Sequence, residues 1–197
     1  MTPLFDARPI VVALAGPNGA GKSTFYHAHL APAALRFVNT DELARHLGVD
    51  SYEAARIAHQ VRKTLVEQRV SFVFETVLSD PVGDKVAFLC EASELGYTVV
   101  MCFIGVDSVE VSEERVAMRV MQGGHDVPSD KLSGRFPRTL ENLARAIRLL
   151  PHVLVFDNSD LAQPFRKVAE FHDGALAAEG GFRPAWFDQG VLAAHAI

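Results

Sequence analysis

Along this chain, short apolar runs alternate with longer stretches of helical period. Such alternation predicts an α/β fold in which a mainly parallel sheet is covered by helices on both faces. Ile10 to Ala15 is the first strand, with too few polar positions for an edge that faces water. A helix follows from Lys22 to Leu30, then a short strand over Leu35 to Val38. A helix from about Asp41 to His46 is ended by Gly48, and Ser51 can cap a longer one reaching about Arg69. Phe72-Val73-Phe74 is the third strand and carries Glu75 and Thr76 at its C-terminal end. Asp80-Pro81 opens a helix that Gly96 closes. Thr98 to Ile104 is the fourth strand and Val153 to Phe156 the fifth; between them lie helices over Val111 to Met121 and Ser129 to about Leu150. Phe165 to Phe171 reads as an edge strand, with an apolar tail packed on the body.

No internal repeat or low-complexity linker interrupts the 197 residues, so the expectation is a single domain over 1–197. Within it, about 108–150 forms a helical lid and about 162–197 a C-terminal edge segment. With 49% hydrophobic and 22% charged residues, the composition is that of a globular protein rather than a disordered one. The net charge of −5 and the lack of any Lys/Arg run weigh against a nucleic-acid partner, but do not exclude a local basic pocket for a nucleotide. Cys90 and Cys102 lie in apolar stretches without metal-ligand spacing, which points to free thiols in a reducing cytoplasm. No signal peptide is visible, and no apolar run reaches the ~20 residues of a membrane span.

The strongest chemical signal is Gly16-Pro17-Asn18-Gly19-Ala20-Gly21-Lys22-Ser23-Thr24, between the first strand and its helix. Glycines there allow positive-φ turns that bring N–H groups towards one point, at a helix N-terminus whose dipole favours anions. Lys22 can reach the β- and γ-phosphates of a nucleoside triphosphate, ATP or GTP, and the Ser23 hydroxyl can ligate Mg²⁺. The same loop occurs in transporter ATPases. Those carry Leu-Ser-Gly-Gly-Gln and a strand ending in Asp-Glu; here Leu132-Ser133-Gly134 runs into Arg135-Phe136 and the last core strand ends in Asp157-Asn158.

Phosphoryl transfer further needs cations on the moving group and a residue that orients or deprotonates the acceptor. In parallel sheets such groups sit at the carboxyl ends of strands. Asp41 is placed to accept a proton from a substrate hydroxyl; equally, Asn39, Thr40 or Asp41 could simply cap the next helix. Glu75 would be expensive to bury unless it serves a metal, a cation or a ligand, the alternative being a solvated strand-end acid. Arg115 and Arg119 share one helix face, and with Arg135 and Arg138 they make an arginine-rich lid able to bring cations over the γ-phosphate. A solvated helical hairpin would carry the same residues. His125, in the Gly-rich turn, could contact substrate or cap the turn, and Asn158 could touch the base or form an Asx turn.

Taken together, these segments resemble the zeta toxin family of P-loop kinases. The matching residues are Gly16 to Thr24, Phe37-Val38-Asn39-Thr40-Asp41, Phe74-Glu75-Thr76 and Arg115 to Arg119. Gly123-Gly124-His125-Asp126-Val127-Pro128, Arg135 to Leu143 and Asp157-Asn158-Ser159 extend the match over roughly residues 10 to 160. The resemblance implies a P-loop NTPase fold with five parallel strands. It also implies phosphorylation of a hydroxyl by ATP or GTP, in the better-known toxins a hydroxyl of UDP-N-acetylglucosamine. Asp41 is then the general base, Lys22 and Ser23 bind phosphates and Mg²⁺, and Glu75 and Thr76 lie at the acceptor, with an arginine of 115–119 on the transferring group. An antitoxin protein is the partner such toxins have, although nothing in the chain itself points to one. The Gly123–Pro128 segment departs from the arginine-bearing lid of the sugar-nucleotide kinases. A nucleoside, nucleotide or antibiotic acceptor therefore stands beside the sugar nucleotide. A non-kinase NTP-dependent switch acting through a partner lacks the Asn-Lys-x-Asp motif of guanine recognition and leaves the arginine lid without a task.

Overall fold

The computed structural model describes residues 3–121 and 127–192. Its centre is a seven-stranded sheet in the order β2-β3-β1-β4-β5-β6-β7. β1 (Ile10–Ala15), β2 (Arg36–Val38), β3 (Phe72–Thr76), β4 (Thr98–Gly105) and β5 (His152–Asp157) run parallel. β1 is wholly buried, as its unbroken apolar run requires. Alternate residues serve the two faces. Val11, Ala13 and Ala15 join the larger apolar cluster under α3 (Ser51–Glu67), α4 (Asp84–Glu94) and α6 (Ser129–Leu149). Ile10, Val12 and Leu14 join the smaller one with Phe25 and Leu30.

Beyond the five parallel strands the sheet carries the expected sixth strand and an unexpected seventh. β6 (Arg166–His172) pairs antiparallel with β5 and is not the edge; β7 (Ala175–Glu179) is, and pairs antiparallel with β6. Ala-Leu-Ala-Ala-Glu favours a helix by intrinsic propensity, but a hairpin partner decides its conformation. The signal that was available is Asp173-Gly174, both at positive φ, a dipeptide that closes hairpins.

Element boundaries shift where a different residue takes the cap. Asp50, not Ser51, caps α3, its carboxylate accepting from the Tyr52 and Glu53 N–H groups. Asn39 caps α2 (Thr40–Leu47) by accepting from Glu42 N–H at 3.0 Å. Asp80-Pro81 does not start α4, which begins at Asp84; Asp80 still binds the Asp84 N–H from the preceding turn. The helix after the phosphate loop, α1 (Lys22–Phe25), continues as a wider π turn over Tyr26–Leu30.

β4 leads into α5 (Val109–Met121), and α5 with α6 rises beside the C-terminal ends of the parallel strands. α6 is fixed to the segment after β3 by side chains on backbone carbonyls. Thr139 donates to Val77 at 3.0 Å, and Asn142 donates to Leu78 at 2.9 Å and Asp80 at 2.8 Å. The C-terminal segment returns to the core through α7 (Ala185–Phe187). Trp186 lies against Gly105, where a Cβ would meet its ring at 2.1 Å. Its Nε1–H donates to Asp157 Oδ1 at 2.8 Å. No helix among the described residues is long and apolar enough to cross a membrane.

Trp186→Ala should lower the unfolding free energy by about 3–5 kcal/mol in urea titration, because it opens a core cavity and takes a donor from a buried carboxylate.

Candidate active site

Residues 16–24 leave β1 at the centre of the sheet and return as α1. Gly16 has φ +144°, and a Cβ on it would lie 2.1 Å from the Ile104 carbonyl oxygen of β4. Only glycine lets the loop cross so close to the next strand. Lys22 is 6% exposed, and its Nζ donates to the Gly16 and Pro17 carbonyls, both at 2.9 Å. Burial pushes the ammonium's pKa down; the carboxylates of Glu75 and then Asp41 oppose this, and Arg119 adds to it. These four side chains therefore share one electrostatic neighbourhood.

Glu75 is the junction. It sits at the end of β3, opposite Leu14 of β1. Its Oε2 accepts from the Ser23 hydroxyl and from Asn39 Nδ2, each at 3.0 Å, and its Oε1 lies 3.8 Å from Lys22 Nζ. The expense of a strand-end acid is thereby met by two hydrogen bonds and a buried cation. Asn39 does two things at once: Oδ1 caps α2 while Nδ2 holds Glu75. With the cap taken by Asn39, the exposed Asp41 carboxylate stands on the first turn of α2, at the wall of a cleft of ≈ 990 Å³.

That cleft gathers most of the residues singled out from the sequence. Asn18, Gly19, Gly21, Lys22, Ser23 and Thr24 form its phosphate-loop side. Asn39, Asp41, Glu75 and Thr76 come from the ends of β2 and β3, and Arg115, Arg119 and Arg135 from α5 and α6. Gly16, Pro17 and Ala20 lie behind this surface and shape the loop. Asn158 is also behind it: it is 3% exposed, and its Nδ2 donates to the Ala20 carbonyl at 2.9 Å. The side chain props the loop instead of facing the cleft. His125 lies outside the described residues.

The two arginines of α5 differ. Arg115 donates to the Asn158 carbonyl at 2.7 Å and the Ser159 carbonyl at 2.8 Å, so its guanidinium clamps α5 to the end of β5. Burial lowers its pKa, opposed by Asp157 and Asp107. Ser112, one turn earlier, donates to the Asn18 carbonyl at 2.6 Å. The first turn of α5 is thus tied to the phosphate loop itself. Arg119, one turn beyond Arg115, faces the cleft near Lys22.

The sequence does not announce Ser112's tie to the loop, nor the cleft-lining cations Arg62, Lys85 and Lys131. A signal for Arg62 existed. It falls on the buried stripe of α3 marked by Ala54, Ala58 and Leu65, where a hydrophobic residue would be expected.

The family described as Zeta toxin matches residues 2–168. An uncharacterized protein of Haemophilus influenzae is 27% identical over 126 residues, covering 61% of this chain and 88% of that protein. Among solved structures, the crystal structure of AvrRxo1-ORF1:-ORF2 with ATP superposes with a TM-score of 0.69 at 21% identity, over 88% of this chain and 61% of that one. The chain thus spans about three fifths of the length of that relative. The PezAT toxin–antitoxin system of Streptococcus pneumoniae gives a TM-score of 0.53 at 15% identity, over 83% of this chain and 71% of that one. At these identities the structural matches show a shared fold.

Glu75→Gln removes the largest influence that raises the Lys22 pKa, so the ammonium should lose its proton at lower pH. The alkaline limb of ATP binding, measured by calorimetry across pH, is expected to move down; an unmoved limb would show that Glu75 does not govern Lys22.

Proposed function

The chain belongs to the zeta toxin family, and on that premise we propose that it is a kinase that transfers the γ-phosphoryl group of ATP or GTP to a hydroxyl of a small molecule. The observation that carries the reading is the Glu75 junction, which ties the phosphate-loop Lys22 and Ser23 to Asn39 within one cleft that also holds Asp41. Phosphate binding and a candidate base thereby share a wall, as transfer between two bound molecules requires.

In this reading Lys22 and the loop N–H groups hold the β- and γ-phosphates. Asp41 accepts the proton of the acceptor hydroxyl, its carboxylate on the rim of α2 being placed to do so without disturbing the cap. Arg119 neutralises charge on the transferring phosphoryl group, since Arg115 is committed to backbone carbonyls. Asn39, Thr76 and Arg135 orient the acceptor beside Glu75.

The donor set suits Mg²⁺. Ser23 Oγ and Glu75 offer two hard oxygens side by side, and no group of three or more His, Cys, Asp or Glu able to hold a metal gathers among the described residues. A cation held by few protein oxygens, completed by phosphate and water, is the regime of nucleotide-bound Mg²⁺. Bound there, Mg²⁺ would supply charge neutralisation to the phosphate oxygens.

UDP-N-acetylglucosamine heads the acceptor panel because the family resemblance names it; a nucleoside, nucleotide or antibiotic hydroxyl is the alternative. The toxin–antitoxin naming of the PezAT relative supports looking for an antitoxin partner as well. The deciding assay incubates protein with γ-labelled ATP, Mg²⁺ and that panel. Asp41→Asn should reduce transfer by about 10²–10⁴-fold while ATP affinity is retained, and full activity in this variant would remove Asp41 from the mechanism. Lys22→Ala should weaken ATP binding and transfer together. Unchanged transfer in Lys22→Ala would refute the phosphate site.

A further inference from the structure

The family match ends at residue 168, and the chain beyond it returns to the core beside the phosphate loop. α7 sets Trp186, 5% exposed, against Gly105 at the end of β4, with the Phe103 ring centre 5.9 Å from its own. Packing alone would be served by a phenylalanine. The indole adds an N–H, and that donor goes to a carboxylate. Asp157, at the end of β5, is 2% exposed, and its Oδ1 accepts from Trp186 Nε1–H at 2.8 Å.

Asp157 has further partners, all in the next turn of chain. Its Oδ1 also accepts from the Ser159 hydroxyl at 2.7 Å, and its Oδ2 from the Ser159 N–H at 3.2 Å. One carboxylate thus shapes the Asn158–Ser159 turn. That turn offers its two carbonyls to the Arg115 guanidinium, at 2.7 and 2.8 Å. From the same turn, Asn158 Nδ2 donates to the Ala20 carbonyl of the phosphate loop at 2.9 Å. Arg115 in turn stands against that loop, since a Cβ on Gly19 would lie 3.1 Å from the Arg115 Cβ. An unbroken series of contacts therefore runs from the indole to the phosphate loop. In a buried network of this kind, loss of one donor leaves its acceptor underpaired and loosens the bonds that follow.

We propose that Trp186 is a positioning residue of the donor site: its N–H orients the Asp157 carboxylate, which holds the Asn158–Ser159 turn in the shape that sets Arg115 and the phosphate loop for the nucleoside triphosphate. Trp186 acts through Asp157 and does not line the cleft itself. Part of the chain outside the family match thereby serves donor binding. This rests on the nucleotide site of the kinase reading and on no choice of acceptor.

The test uses the whole chain. Trp186→Phe keeps an aromatic ring against Gly105 and deletes the donor. Its affinity for β,γ-imido-ATP with Mg²⁺, measured by calorimetry, should fall about tenfold. Val191→Ala truncates a fully buried residue of the same segment, whose side chain can take no part in these hydrogen bonds. It should lower the melting temperature and leave that affinity within about twofold of wild type. In an Arg115→Met background, Trp186→Phe should cost at most about twofold more, because the turn has lost the contact through which it acts. Coupling is also reciprocal. Trp186 is the only tryptophan of the chain, so its indole Nε1–H gives a single NMR resonance, which should shift saturably as β,γ-imido-ATP fills the site. Equal affinity of wild type and Trp186→Phe would overturn the proposal and leave the nucleotide site standing. The same holds for an equal loss in Val191→Ala, an undiminished loss in the Arg115→Met background, or an indole resonance that the nucleotide does not move. Failure of the wild-type protein to bind β,γ-imido-ATP would instead overturn the nucleotide site, and this proposal with it.

Discussion

The Glu75 carboxylate joins parts of the chain that are far apart in sequence, and the geometry of the cleft follows from how it is satisfied. It receives a hydroxyl from the start of α1, an amide from the end of β2 and the field of a buried ammonium. Each of these partners has a second duty. Lys22 braces the loop through the Gly16 and Pro17 carbonyls, and Asn39 caps α2 and so sets where Asp41 stands. A half-buried carboxylate at this point is stabilised by these three contacts together. That couples the phosphate loop to the candidate base mechanically as well as electrostatically.

α5 and α6 are each fastened to the body by side chains on backbone carbonyls. Ser112 and Arg115 bond the first turns of α5 to the phosphate loop and to the end of β5. Thr139 and Asn142 bond α6 to the segment following β3. Between these anchors, Arg119, Lys131 and Arg135 face the cleft. Backbone carbonyls suit this purpose because they anchor a side chain without adding a net charge of their own to the cleft.

Charge is distributed accordingly. The chain carries a net −5, yet its cleft is lined by cations from α1, α3, α4, α5 and α6. Helices drawn from distant parts of the sequence aim these side chains at one volume, and no local run of basic residues announces it. Overall charge describes solubility and association, while the field inside a cleft is set by which few side chains point there.

The phosphate loop was legible because its chemistry is local: glycines, lysine and serine in nine consecutive residues, between a buried strand and a helix, suffice to specify a turn and an anion site. The central strands β1 and β4 were legible for the same reason, since strands buried on both faces read as near-continuous apolar runs, whereas β2, at the sheet's edge, is short and carries the exposed Arg36. The hairpin of β6 and β7 was only half legible. An Ala-Leu-Ala-Ala-Glu segment becomes a strand because a neighbour offers it hydrogen bonds, which no local propensity encodes. The roles of Asn39, Arg115 and Asn158 were likewise decided in three dimensions, where one amide caps, another props the loop, and a guanidinium becomes a clamp. By itself, then, the sequence determined the apolar strands and the contiguous loop. Tertiary structure alone decided which polar side chains meet, because hydrogen bonds and charges act at distances of about 3–4 Å that sequence spacing does not measure.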